Sequence, residues 1–194
     1  MTTPATRQVT REAAPRAAGI ARGAVLLAGA AVLLLLVEGR GVQFYWVPLL
    51  LGVTYLLAAA AGRSTGPLWA PGWVLTIVGL TEALWFHTAR PADSFELAQL
   101  TLLAAGTGAL LAVAMTLLGV QVSPMSLALA ILITGAFNLA EATAVPYVAG
   151  NTWLYAGLLA AWGLYEVAAA RHGPRPASRP TLTGQPGHIH GGTR

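Results

Sequence analysis

Six stretches of the chain are apolar almost without interruption, at residues 20–37, 44–61, 69–86, 97–120, 125–145 and 153–170. A surface helix of a soluble domain would return to polar residues every third or fourth position, and these runs do not. Each is about long enough to carry a helix across the ~30 Å hydrocarbon core of a bilayer. The breaks between them hold residues that end helices: Gly39 and Gly41, then Gly66 with Pro67 and Pro71, Pro91, Ser123 with Pro124, and Pro146 with Gly150. These connections are short, so the pattern predicts an all-α polytopic membrane protein, a bundle of six transmembrane helices arranged as helical hairpins. Residues 20–37 have the length of a signal-peptide core, with Ala28 and Ala30 in small-residue spacing. The Leu-rich run continues past them, which reads as an uncleaved first helix.

Composition agrees with this reading. Charged residues make up only 9% of the chain, against about 25% in soluble domains, too few to clothe a soluble surface. The lack of cysteine excludes disulfides, thiolate metal sites and a cysteine nucleophile. A net charge of +4 invites a nucleic-acid reading, but every basic residue is Arg, and these lie mainly in the tails and one short loop, where topology accounts for them. No nucleic-acid partner is expected.

Arg resists translocation when it flanks a span, so its placement sets orientation. With six crossings, Arg7, Arg11, Arg16, Arg22, Arg63, Arg171, Arg175, Arg179 and Arg194 fall on one side, against Arg40 and Arg90 on the other. The heavier side is read as cytoplasmic, which puts both termini in the cytoplasm and the protein in the inner (cell) membrane. Phe44, Tyr45, Trp46, Trp85, Tyr147 and Trp153 then gather at the outer interface, and Trp69, Trp73 and Tyr165 at the inner one. Residues 1–18 are polar and read as a flexible cytoplasmic arm, residues 19–171 as the transmembrane domain, and residues 172–194 as a disordered cytoplasmic tail. The tail carries His188 and His190, which fall short of the three or four organised ligands of a defined metal site.

Three stretches of about fifty residues share a layout. The first helix of each pair carries a mid-helix Gly (Gly29, Gly79, Gly135), a breaker follows (Gly41, Pro91, Pro146), and the second helix carries Gly52, Gly106 or Gly157. The run Leu57-Ala58-Ala59-Ala60-Ala61-Gly62-Arg63 parallels Tyr165-Glu166-Val167-Ala168-Ala169-Ala170-Arg171. A chain this rich in Ala, Leu and Gly also aligns with itself by composition alone, so the repeat and its compositional alternative both stand. Ala104, Gly108 and Ala112, at every fourth position, would let backbones approach closely.

The layout, most clearly from Gly79 through Pro91, from Gly135 through Pro146 and from Leu158 through Arg171, resembles the HdeD-like family of small bacterial membrane proteins. That resemblance implies three helical hairpins and a non-enzymatic membrane protein linked to acid stress, with no catalytic residues to carry over. The first hairpin departs from the family in having Gly39 and Gly41 where Pro is usual. The second departs in an enlarged outer loop with Asp93 and Glu96. Gly52-Val53-Thr54-Tyr55-Leu56 is similar to a stretch of the urea and amide channels, though on the second helix instead of the third. The Asn-Pro-Ala-Pro-Leu-Gly signature of the acetate-succinate channels is absent.

An ionisable group near the bilayer centre costs about 2.5–3.5 kcal/mol on insertion scales, so each one within a span needs an explanation. Glu82 lies about 6 Å below the outer boundary of the third run. It reaches the interface, hydrogen-bonds a neighbouring helix, or lines a polar cavity. Thr134, Asn138 and Glu141 share one face of the fifth helix, and if that face met Glu82 the two carboxyls would tend to share a proton. The same stripe would equally serve interhelical hydrogen bonds. His87, one turn beyond Glu82, is either an outer pH sensor or a solvated cap. Glu38 is read as a headgroup-level residue beside Arg40, and Glu166 as pairing or snorkelling locally, five residues before Arg171. No catalytic motif, metal site or cofactor motif is present, so no enzyme is expected. The expected partners are the lipid bilayer and either a membrane-protein partner or further copies of the chain. The alternative is a channel or carrier for a small solute or protons, built on Glu82, Asn138, Glu141 and His87.

Overall fold

The computed structural model describes residues 4–62, 67–88, 94–120, 122–142 and 151–172, with side-chain surroundings for 16–62, 67–88, 96–120, 122–135 and 151–172. The described residues are all-helical. The long helices are α1 (Pro4–Arg40), α2 (Val47–Ala61), α3 (Trp69–His87), α4 (Ser94–Ala114), α5 (Pro124–Ala142) and α6 (Thr152–His172). Three segments are both long and apolar enough to cross a membrane: Arg16–Arg40 in α1, Phe44–Ala61 covering α2, and Glu96–Leu118 covering α4. Pro124–Gly135 of α5 is a shorter apolar helix. The helices α3 and α6 have spanning lengths of 19 and 21 residues. Trp69, Gly72, Trp73 and Glu82 dilute the apolarity of the first, and Trp153, Trp162, Glu166 and Arg171 that of the second.

The segment expected as a flexible arm is drawn into α1, which runs back through Pro15 to Pro4 over 37 residues. Residues 11–18 hold Ala13, Ala14, Ala17 and Ala18, good helix formers that favour extension of a helix nucleated by the apolar span, against the lost backbone hydrogen bond at Pro15. The His-bearing tail from residue 173 and Tyr147 lie outside the described residues.

Local signals fix the turns. Gly41 takes a left-handed φ of 65° just after α1, and the Val42 amide reaches back to the Leu36 carbonyl at 3.0 Å. A short 3-10 turn, Phe44–Trp46, then leads into α2, where Pro48 occupies the first turn, the position at which a missing N–H costs least. After α4 a second 3-10 turn, Met115–Leu118, ends at Gly119 with φ 82°. The Gly119 amide donates to Thr116 and the Val120 amide to Met115, the Schellman pattern that needs a residue free of Cβ strain. Asn151 caps α6, its Oδ1 accepting from the Leu154 amide at 3.3 Å.

Packing follows the chain in part. The helices α1 and α2, α2 and α3, and α3 and α4 lie side by side, and α5 rests on both α3 and α4. The third expected hairpin, α5 with α6, is not the arrangement seen among the described residues: α6 packs on α1. The reason is the glycine-faced surface of α1. A Cβ at Gly23 would stand 2.6 Å from the Gly163 carbonyl oxygen, and one at Gly19 would stand 2.9 Å from Ala170 Cβ. The partner number falls as the α1 number rises, so the two helices are antiparallel. Gly29 against Thr54 and Gly79 against Leu49 give α1–α2 and α2–α3 the same sense.

The glycines of the apparent repeat are not equivalent. Gly29, Gly52 and Gly79 lie against a neighbouring helix, whereas nothing stands within 4 Å of where a Cβ would go at Gly106, Gly135 or Gly157. The glycine through which α4 meets α3 is Gly108, on a different face from Gly106, with Val74 Cα 2.6 Å from its would-be Cβ. Its neighbours along that face, Ala104 and Ala112, are buried as well.

The interior combines small residues with a few buried Leu and Val. Ala30, Ala58 and Ala59 join Leu26, Leu33 and Leu159 in one cluster, and Ala104, Ala105, Ala109 and Ala130 join Val74 and Val78 in another. Large apolar side chains such as Leu35, Leu103, Leu110 and Leu132 point outward. An outer surface this rich in Leu suits lipid, where helix association depends on close van der Waals contact because burying Leu gains nothing over hydrocarbon. Thr54, Thr76, Thr81, Thr101 and Thr134 return their hydroxyls to the carbonyl four residues back, so none demands a polar partner on another helix.

Candidate functional site

The polar positions singled out in the sequence lie on α3 and α5. In α3, Val74, Val78 and Glu82 recur every fourth residue, and the first two pack against α4 and α5. Glu82 continues that face and is half-buried. His87 is the last residue of α3 and is exposed. On α5, Thr134 is buried, and positions 138 and 141 follow along the same face toward the helix end. The tight turn at Gly119 sends α5 back along α4, parallel to α3, so Glu82 and residues 138–141 belong to one end of the bundle. The side chains of Asn138 and Glu141 lie outside the described residues.

Aromatic contacts mark that end. Tyr45 stacks on Phe86 with centroids 5.1 Å apart and planes at 17°, and Phe44 meets Tyr155 at 6.0 Å. The turn after α1, the end of α3 and the start of α6 thus come together, as the grouping of Phe44, Tyr45, Trp46, Trp85 and Trp153 leads one to expect.

The opposite end holds a polar cluster that the sequence did not announce. Arg22 Nη1 of α1 donates to both carboxylate oxygens of Glu166 on α6, each at 3.2 Å. Trp162, one turn before Glu166, donates its indole Nε1–H to Oε1 at 3.3 Å. Its ring is steadied by Tyr55 of α2, 6.1 Å away in a tilted arrangement. The guanidinium lies over Gly62, where a Cβ would stand 2.7 Å from Nε and 2.8 Å from Nη2. Glycine at the end of α2 is thus what admits the Arg22 head between three helices. Only 14% and 16% of the two charged side chains is exposed.

This corrects the local reading of Glu166, whose partner is 144 residues away in sequence and not its neighbour Arg171. The signal available in the sequence was an Arg just inside the first apolar run and a Glu just inside the last, at matching distances from the same side. Nothing in the spacing says that the first and last helices touch. Chemically, the cluster cancels two charges and satisfies the carboxylate with three hydrogen bonds. It presents no nucleophile. Among the described residues, no group of three or more His, Asp or Glu side chains could hold a metal ion.

Compared with models of known families, with curated proteins and with solved structures, the chain matches none.

Proposed function

We propose that this is a non-enzymatic integral protein of the inner membrane that crosses six times with both termini in the cytoplasm. Its role is that of a packed helical body engaging a membrane-protein partner or further copies of itself, and the stress link implied by the HdeD-like resemblance belongs to this proposal. The observation that carries it is backbone contact through glycine between helices, beneath an outer surface of large apolar side chains such as Leu35, Leu103, Leu110 and Leu132. Backbones that touch at Gly23, Gly79 and Gly108 leave no aqueous passage at those seams. Three segments meet the length and apolarity of a span outright. The basic residues Arg16, Arg22 and Arg171 gather at the end away from the Tyr45–Phe86 stack, as cytoplasmic residues would.

Purified protein in liposomes tests this reading. Folded, inserted protein is expected to pass neither protons nor small neutral solutes above empty liposomes, at any external pH between about 5 and 7. Flux that disappears in Glu82→Gln would overturn it.

A second reading has one observation in its favour. The helix α5 packs on α3, along the face that Glu82 continues, so a carrier or channel using Glu82, Asn138, Glu141 and His87 has its helices adjacent. It predicts flux that is lost in both Glu82→Gln and Asn138→Ala.

A further inference from the structure

We infer that α6 is a conditional membrane span, held across the bilayer by the Arg22–Glu166 pair as much as by its own apolarity. The inference rests on the six-span reading with cytoplasmic termini. Arg16–Arg40 of α1 is a span by length and composition, with a run of Leu and Val through its second half, whereas the apolar run of α6 is interrupted by Trp153, Tyr155, Trp162, Tyr165 and Glu166. The residue that most lowers its apolarity within the span is Glu166, which is largely withdrawn from solvent.

The two charges are not symmetrical. Arg22 carries a long stem close to the cytoplasmic end of the apolar part of α1 and can snorkel to headgroups without help. A Glu side chain is shorter, and Glu166 turns inward to its partner on the neighbouring helix. The geometry holds that partner close: Gly19 faces Ala170 and Gly23 faces Gly163 and Val167, which brackets Glu166 above and below with backbone contact. Trp162 occupies one carboxylate oxygen and Gly62 makes room for the guanidinium. Among the described residues α6 packs chiefly on α1, so no other helix stands in for this seam.

Without the pair, α6 stays on the outer side, and the C-terminal segment with it. One ion pair then decides on which side of the membrane Arg175, Arg179, His188 and His190 lie. Insertion of α6 becomes a two-state property of the chain, open to anything that competes for Arg22.

The cysteine-free sequence makes the test direct, because a single introduced thiol is the sole target of a maleimide. Ser178→Cys serves as the tail reporter and gives the side of the C-terminal segment. Gly39→Cys, at a position with nothing within 4 Å of its would-be Cβ, serves as the turn reporter for the outer turn after α1. Intact cells carrying one reporter or the other are treated with a membrane-impermeant maleimide, and labelling is compared with that after permeabilisation. With no further change, the turn reporter is expected to label and the tail reporter to be protected. With Arg22→Leu added, the tail reporter becomes accessible from outside while labelling of the turn reporter and membrane retention stay unchanged. The ratio of inserted to uninserted α6 should fall on the order of tenfold. Adding Glu166→Leu to Arg22→Leu restores protection. Arg16→Leu, which removes an equal charge from the same side, leaves the tail reporter protected.

Protection of the tail reporter in Arg22→Leu equal to that without the substitution overturns the inference, as does an equal loss in Arg16→Leu. A turn reporter that is inaccessible in the otherwise unaltered chain overturns the six-span reading instead, so the two failures are distinguishable.

Discussion

A methyl group added at Gly79 is the sharpest available probe of whether the α2–α3 contact is as close as described. The Cβ of Gly79→Ala would fall on the backbone of α2, against the Leu49 amide nitrogen, with Leu49 Cα at 2.5 Å and the Pro48 carbonyl carbon at 2.7 Å. Ordinary contact begins at 3.4 Å, so the two helices must part by about 1 Å. These are main-chain atoms, and no rotamer change relieves the overlap. Overpacking of this kind costs typically 1–3 kcal/mol, and relief by separating two whole helices puts Gly79→Ala near the top of that range, about 3 kcal/mol. Ala is otherwise the better helix former by about 1 kcal/mol, so the observed loss should be near 2 kcal/mol. The reference is Gly106→Ala, where nothing stands within 4 Å and only the propensity gain remains. Reversible unfolding in mixed detergent micelles, followed by tryptophan fluorescence, measures both. If Gly79→Ala proves no less stable than Gly106→Ala, the glycine-contact account of this bundle is wrong.

Other outcomes follow from the same geometry. Arg22→Ala should destabilise by about 2–3 kcal/mol because it strands the largely buried Glu166 carboxylate, Glu166→Ala by less because the long Arg22 stem can reach headgroups, and the double variant should lose less than their sum; a double-mutant cycle in the same unfolding assay checks this. Gly108→Leu should break the α3–α4 seam at Val74, seen as protease sensitivity of the turn at Gly119, while Gly157→Leu should not. Tyr45→Ala removes the stack on Phe86 and should cost about 1 kcal/mol beyond lost area, read against Tyr45→Leu.

Hydropathy located the helices because a span must be apolar along its whole length, and the punctuation at Gly41 and Pro124 located two of the turns because the backbone there has few alternatives, whereas Gly119 went unremarked. The neighbours of each helix were much less legible. In lipid an apolar surface facing lipid and one facing a helix look alike, so the choice rests on small residues, and the sequence offers many of those. Gly106 and Gly108 sit two apart and nothing local says which one meets α3. The repeat aligned Gly135 with Gly29 and Gly79, and Gly106 and Gly157 with Gly52, yet Gly106, Gly135 and Gly157 face open space. Glu82 was visible as a charge within a run, and its place on the packed face of α3 follows from helical spacing alone. Arg22 and Glu166 were visible singly. Their partnership depends on α1 meeting α6, a long-range fact that no local pattern encodes.

That partnership also sets a clock. The chain emerges from the ribosome at about 5–20 residues per second, and the 144 residues between Arg22 and Glu166 therefore separate the two by roughly 7–30 s. For that interval the Gly19–Gly23 face of α1 is in the membrane without the helix it fits. Contacts between neighbouring hairpins form in sequence as they are made, but this one closes last and joins the two ends of the chain. Any factor that attends nascent membrane proteins meets this chain with its first helix waiting, and a premature stop before α6 leaves that face permanently uncovered.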